Sequence, residues 1–103
     1  MAILKSFDTR DLEQFAVELA GDLGRRFPPA SESRTDAGAR NQLNIILEGL
    51  AARAIRYHAE NKLGIYRKAK LGNVFKWKLK ELGYSDAFVD RATKEIITRL
   101  AVK

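Results

Sequence analysis

The residue types best suited to binding chemistry are concentrated in one basic segment, residues 53–80. This segment contains nine Lys and Arg residues and a single acid, Glu60, so it carries a formal charge of +8 in a chain of net charge +6. Residues 1–52 carry −2, and residues 81–103 carry no net charge. This local excess of cations indicates one basic face, and basic faces attract polyanions.

Aromatic side chains are interleaved with these cations between residues 65 and 82. If this stretch is helical, one face combines aromatic, amide and basic side chains while the opposite face is apolar. The first face would contain Tyr66, Lys70, Asn73, Trp77 and Lys80, and the second would contain Leu71, Phe75, Leu79 and Leu82. With the flanking cations included, the candidate nucleic-acid or partner-binding residues are Tyr66, Arg67, Lys68, Lys70, Asn73, Lys76, Trp77, Lys78 and Lys80.

This combination of residue types predicts binding rather than catalysis. Cations on such a face would neutralise phosphates, and flat aromatic rings would stack on bases or fill a pocket in a protein partner. The first interpretation is therefore a small non-enzymatic binding module that contacts DNA or RNA. The alternative is a protein-interaction or homodimeric module with no nucleic-acid role, built from the off-stripe residues Ile45, Ile55 and Leu63.

A plainer interpretation of the same segment assigns it no ligand. The lysines would then solvate a helix face, while Trp77 would pack under a neighbouring element of the fold. The exposure of the Trp77 indole separates this interpretation from the other two.

Catalytic, metal and cofactor sites are not expected in this sequence. The chain has no cysteine and one histidine, so it can form neither disulfides, thiolate metal sites nor a multi-His metal site. His58 lacks an orienting carboxylate, because Glu60 lies only two positions away and would face elsewhere on a helix. No glycine spacing matches a phosphate-binding loop. We therefore predict no catalytic residue, metal, cofactor or small-molecule substrate.

Apolar runs in the sequence are too short for a membrane span. The longest, Met1–Leu4, has four residues, whereas a spanning helix needs roughly 18. Surface attachment through a basic helix at 65–82 would require its apolar side to leave the protein core. We therefore predict no membrane partner and a cytoplasmic location.

Four segments with helical periodicity must position the candidate residues. The first helix begins after Asp8 or Thr9 and ends near Phe27, where two prolines follow. A polar surface loop is expected at 28–37. The other helices are expected at about 36–63, 65–82 and 86–101. Gly64 and Gly83 are the expected C-terminal stops, and Ser85 is the expected cap of the last helix.

Residues 65–80 also fit a β-hairpin. The stretch from Phe75 to Lys80 alternates strictly between apolar and basic residues, which is typical of a half-buried strand. The content of Lys, Leu and Glu favours a helix instead. We predict an all-α fold, a compact four-helix bundle-like single domain over residues 1–103. The alternative is an α+β fold with a β-hairpin at about 65–80.

Overall fold

The computed structural model describes residues 8–102, and within this range it contains four α-helices. In chain order they are α1 (Arg10–Arg26), α2 (Ala37–Asn61), α3 (Ile65–Leu82) and α4 (Asp86–Val102). No strand occurs among the described residues, so the all-α prediction is confirmed and the hairpin alternative at 65–80 is wrong. The apolar run Met1–Leu4 lies outside the described residues.

The first helix is set by local signals at both of its ends. Thr9 is the N-cap residue, and its Oγ1 donates a hydrogen bond of 2.6 Å to Glu13 Oε2 one turn later. Acids in the first turn and arginines in the last turn complement the helix dipole. The helix ends at Arg26 because the following prolines cannot continue its hydrogen bonding. Its apolar stripe, which includes Leu12, Leu19 and Leu23, is fully buried.

The second helix begins at a strong cap and ends earlier than predicted. The Asp36 carboxylate accepts a hydrogen bond of 2.9 Å from the Ala39 amide, and this bond lowers the pKa of Asp36. The left-handed C-terminal residue is Lys62, with φ of 50°, rather than the predicted Gly64. The earlier turn lets Leu63, which is only 4% exposed, join the core.

The predicted polar loop at 28–37 contains regular structure. Residues Pro29–Ser33 form a short 3-10 helix. The Glu32 carboxylate of this helix accepts a hydrogen bond of 2.7 Å from the Ser85 amide at the start of α4. The loop therefore connects α1 to α2 and also supports the α3–α4 turn.

The α3–α4 turn is fixed by its backbone conformation, by a buried side chain and by the cap of α4. Gly83 adopts φ of 105°, a left-handed conformation that favours glycine. The buried Tyr84 side chain then donates its hydroxyl hydrogen bond to the Phe27 carbonyl at the end of α1. Ser85 Oγ accepts a hydrogen bond of 3.2 Å from the Phe88 amide, which confirms the predicted cap of α4.

The helices alternate in direction, and α3 is held between α1 and α4. Parallel packing of α1 and α3 follows from two contacts: Arg67 reaches Asp8 at one end, and Leu82 lies beside Gly24 at the other. The antiparallel partner of α3 is α4, and α2 packs mainly on α4 and only lightly on α1. One core of buried residues from all four helices fills the centre, so the inner face of α3 has neighbours on both sides.

Candidate functional site

The two sides of α3 differ sharply in exposure. Leu71, Phe75 and Leu79 on its inner side are 0% exposed. On its outer side, Tyr66 is 60% exposed and Trp77 is 62% exposed. The Trp77 ring is therefore on the surface, and the interpretation that it packs under a neighbouring element is wrong.

Helical geometry explains why the indole points outward. Trp77 is two residues from Phe75, and side chains two apart on a helix lie on nearly opposite sides. Phe75 is fixed in the core between α1 and α4, so Trp77 must face away from both helices. The outward position of Trp77 is thus a consequence of burying Phe75.

Five of the nine candidate residues share this outer side of α3, which we call the outer face. They are Tyr66, Lys70, Asn73, Trp77 and Lys80. Lys80 Nζ lies 5.5 Å from the centroid of the Trp77 ring, within the range of a cation–π interaction. Nearer the start of the helix, Tyr66, Lys70 and Asn73 line a shallow groove of about 450 Å³ together with Ala69. The face thus carries two separate aromatic–lysine pairs.

The other four candidates lie on the flanks of α3 and already have partners within the protein. Arg67 Nη1 donates to the Asp8 carbonyl at 2.9 Å, and Lys68 Nζ donates to the Leu100 carbonyl at 3.3 Å. Lys76 Nζ lies 3.7 Å from Asp90 Oδ1, and Lys78 Nζ lies 4.0 Å from Glu81 Oε1. These contacts hold the four side chains on the flanks of α3, so Lys70 and Lys80 are the cations of the outer face itself.

Acidic side chains reduce the effective charge of the basic segment further. Arg53 forms a 3.1 Å ion pair with Asp22 of α1. Asp8 adds a negative charge near Arg67, and hydrogen bonds from Arg10 lower the pKa of Asp8 to about 2, so this charge persists even in acid. Among the described residues, no salt bridge involves Lys70 or Lys80. A ligand on the outer face would therefore meet two unpaired ammonium groups rather than the full +8 of the segment.

The side chains proposed for a protein interface are not brought together. Ile55 packs against the core and Leu63 is buried, so the predicted surface of Ile45, Ile55 and Leu63 does not exist. Ile45 remains 56% exposed on α2. Ile65, at the start of α3, is 90% exposed. It was not among the candidate residues, although its position outside the apolar stripe of α3 is a signal that the sequence contains.

The surroundings of His58, the one histidine of the sequence, are defined by the described residues. His58 is half-buried, and its Nδ1 has no hydrogen-bond partner among the residues that the structure describes. Between residues 8 and 102, no cluster of His, Asp and Glu side chains could hold a metal ion. In the same range, no helix combines the length and apolar character required to cross a bilayer.

The chain was compared with protein families, curated proteins and solved structures. No family model, curated protein or solved structure matches the chain.

Proposed function

We propose that this protein is a non-enzymatic binding module, located in the cytoplasm, whose outer face binds single-stranded DNA or RNA. The observation that carries the proposal is the exposure of Tyr66 and Trp77, at 60% and 62%, on the same side of one helix. Large aromatic side chains usually bury most of their surface. Two of them aligned on an exposed face, each beside a lysine, provide stacking surfaces next to cations.

The spacing of the two rings suits a flexible strand. They are eleven residues apart, which corresponds to about 16 Å along the axis at roughly 1.5 Å per residue. A single strand can present several unstacked bases over such a distance, and aromatic rings stack on any base. In a duplex the flat faces of the bases are covered by their neighbours, so stacking would favour single strands. The same chemistry serves DNA and RNA.

The charge of the outer face predicts modest, salt-dependent binding. Each phosphate neutralised on a single strand contributes about −0.7 to the slope of log affinity against log salt concentration. Because Lys70 and Lys80 are the unpaired cations of the face, we expect a slope of about −1.4. A steeper slope would show that Arg67, Lys68, Lys76 or Lys78 exchanges its internal partner for a phosphate.

Fluorescence of Trp77 provides the direct test, because it is the only tryptophan. The protein is titrated with oligothymidylate and, separately, with oligouridylate at increasing salt concentrations. Binding should change the Trp77 emission and weaken as salt rises. Absence of binding at low salt, or binding that ignores salt, contradicts the proposal.

A matched pair of lysine variants locates the interaction. Lys80→Ala removes a cation from the outer face, whereas Lys94→Ala removes an exposed cation from α4. We expect Lys80→Ala to weaken binding and reduce the salt slope by roughly 0.7, with no change for Lys94→Ala. Equal effects of the two variants would indicate non-specific attraction to the whole protein rather than a site.

The second candidate function is a protein-interaction or homodimeric module. The 90% exposure of Ile65 at the start of α3 favours it, since an exposed isoleucine contributes nothing to phosphate binding. Tyr and Trp are also the residue types that dominate protein interfaces. Size-exclusion chromatography with light scattering tests this candidate. A stable dimer, broken by Ile65→Lys and indifferent to oligonucleotide, would replace the nucleic-acid proposal.

A further inference from the structure

A cavity of about 240 Å³ lies at the end of the bundle where α2 and α4 begin. Its walls come from three parts of the chain: the segment after α1, the first turns of α2 and the first turns of α4. No residue of the outer face of α3 lines it. The cavity is therefore a separate place in the molecule, with a chemistry of its own.

The interior wall of the cavity is apolar. Phe27 is 3% exposed and Leu43 is 5% exposed, and both line the cavity. The Phe27 and Phe88 rings are nearly parallel, with an interplanar angle of 6° and centroids 6.0 Å apart. Such a wall is suited to the flat or short apolar body of a small molecule.

The rim of the cavity is cationic. Arg34, Arg40 and Arg91 line it, and Glu32 is the only acid among the lining residues. One oxygen of Glu32 is already occupied by the Ser85 amide. Arg34 Nε lies 3.7 Å from Asp36, but the described residues form no salt bridge with Arg40 or Arg91. Two unpaired guanidinium groups thus stand beside an apolar wall.

We propose that this cavity binds a small organic carboxylate with an apolar body. Guanidinium groups recognise carboxylates through paired N–H donors, and Arg40 and Arg91 provide these from two different helices. Phe27, Phe88 and Leu43 would receive the apolar part of the ligand. The volume falls below the roughly 300 Å³ at which cavities for drug-sized ligands begin, so the ligand must be small. The proposal is independent of nucleic-acid binding by α3.

The probe that tests this inference is phenylacetate, followed through amide resonances in two-dimensional NMR spectra of the full chain. We expect saturable shifts centred on the amides of Ala39, Leu43 and Phe88. Phenylacetamide lacks the charge and acetate lacks the apolar body, so each should bind at least about tenfold more weakly. Inorganic phosphate should also bind more weakly, because it makes no use of the apolar wall.

Several outcomes would overturn the inference. No saturable shift with phenylacetate would show that the cavity is unoccupied by such acids. Equal binding of phenylacetamide would remove the role of the arginines, and equal binding of phosphate would indicate a simple anion site. Shifts centred on Tyr66, Lys70 and Asn73 would place the ligand in the α3 groove instead.

Charge-removing variants test the arginines directly. Arg40→Gln and Arg91→Gln should each weaken phenylacetate binding by at least about tenfold. Arg56→Gln changes an exposed arginine of α2 that does not line the cavity, so it should leave binding unchanged. Because all three side chains are exposed, the variants should fold, which their thermal unfolding verifies. Unchanged binding in both cavity variants would contradict the inference.

Trp77 fluorescence separates this inference from the proposed function. Since Trp77 does not line the cavity, phenylacetate should leave its emission unchanged while oligonucleotide alters it. If oligonucleotide does not bind, the proposed function is refuted, while the proposal for the cavity is unaffected. Conversely, a failure of phenylacetate to bind would say nothing against the outer face of α3.

Discussion

The inner and outer sides of α3 show how one helix divides its residues between stability and surface chemistry. The inner side buries Leu71, Phe75 and Leu79 completely. On the outer side, Trp77 keeps 62% of its surface exposed although its side chain is a large aromatic ring. Packing therefore accounts for the first set and gives no reason for the second. This difference is what makes the outer face a candidate for binding.

The largest effect on stability is expected from the inner side. Phe75 is 0% exposed and is among the largest fully buried side chains of the core. Phe75→Ala should lower the free energy of unfolding by about 3–5 kcal/mol, because it removes buried surface and leaves a cavity. Chemical denaturation followed by circular dichroism measures the loss. A change below about 1 kcal/mol would show that α3 does not rely on this side chain.

The next effect concerns the close approach of α3 and α4 at Gly72. A Cβ at this position would lie 2.6 Å from Ile97 Cδ1, whereas a Cβ at Gly49 on α2 would meet nothing within 4 Å. Both glycine-to-alanine changes favour a helix by about 1 kcal/mol. Crowding at Gly72 opposes that gain, so Gly72→Ala should be less stable than Gly49→Ala by about 1–3 kcal/mol.

The control for this pair relieves the crowding. Ile97→Val removes the Cδ1 atom that an alanine at position 72 would contact most closely. Combining it with Gly72→Ala should therefore recover part of the lost stability, which a double-mutant cycle measures. Strictly additive effects would mean that the added methyl group is accommodated elsewhere.

A smaller effect is expected from the two tyrosine hydroxyls associated with α3. The buried Tyr84 hydroxyl donates to the Phe27 carbonyl, while Tyr66 is exposed. Tyr84→Phe should lower the free energy of unfolding by about 1 kcal/mol, because a buried hydrogen bond is lost. Tyr66→Phe should leave stability unchanged. Equal melting temperatures for the two variants would contradict this difference.

The pH dependence of stability gives a second signature of the buried Tyr84 hydroxyl. Burial, assisted by the charge of Glu32, raises the pKa of Tyr84 from 10.0 to about 12. The folded state favours the protonated phenol, so this stabilisation is complete below pH 10 and is lost between pH 10 and about 12. Melting temperature should fall more steeply over this range in the natural protein than in Tyr84→Phe, which shares all other titrating groups.

The smallest effect on stability belongs to the outer side. Trp77→Ala should change the free energy of unfolding by no more than about 0.5 kcal/mol, because the ring lies on the surface. The same substitution should weaken oligonucleotide binding by about 1–3 kcal/mol, measured with a labelled oligonucleotide since the intrinsic signal is lost. A large loss of stability would show that Trp77 supports the fold, as Phe75 does, and would contradict the proposed difference between the two sides of α3.

Local sequence signals were enough to predict the helices and the apolar side of α3. Each helix places its apolar residues on one side, so the spacing of Leu71, Phe75 and Leu79 predicts their burial. The exposure of Trp77 stayed open, because a neighbouring element could have covered the ring and the same residues also fitted a hairpin. The end of α2 could not be predicted in the same way. Lys62 adopts the left-handed conformation and Gly64 does not, because the position of the turn depends on burying Leu63 in a core built by other helices.

Which cations of the basic segment have partners within the protein, and which remain available to a ligand, could not be predicted from the sequence. Arg67 and Lys68 donate to carbonyl groups 59 and 32 residues away along the chain. Such partners depend on which helices become neighbours, and periodicity does not determine that. The cavity beside Phe27 and Arg91 was missed for the same reason, since its walls come from segments that no local motif connects.

The parallel pairing of α1 with α3 has a consequence for synthesis of the chain. The hydrogen bonds that join α1 and the residues flanking it to α3 and Tyr84 span 57 to 61 residues, and the intervening α2 packs only lightly on α1. During synthesis, Leu12, Leu19 and Leu23 of α1 therefore stay without their α3 partners until α3 has emerged from the ribosome. Translation arrested before α3 is complete should yield a nascent chain that chaperones bind and proteases remove.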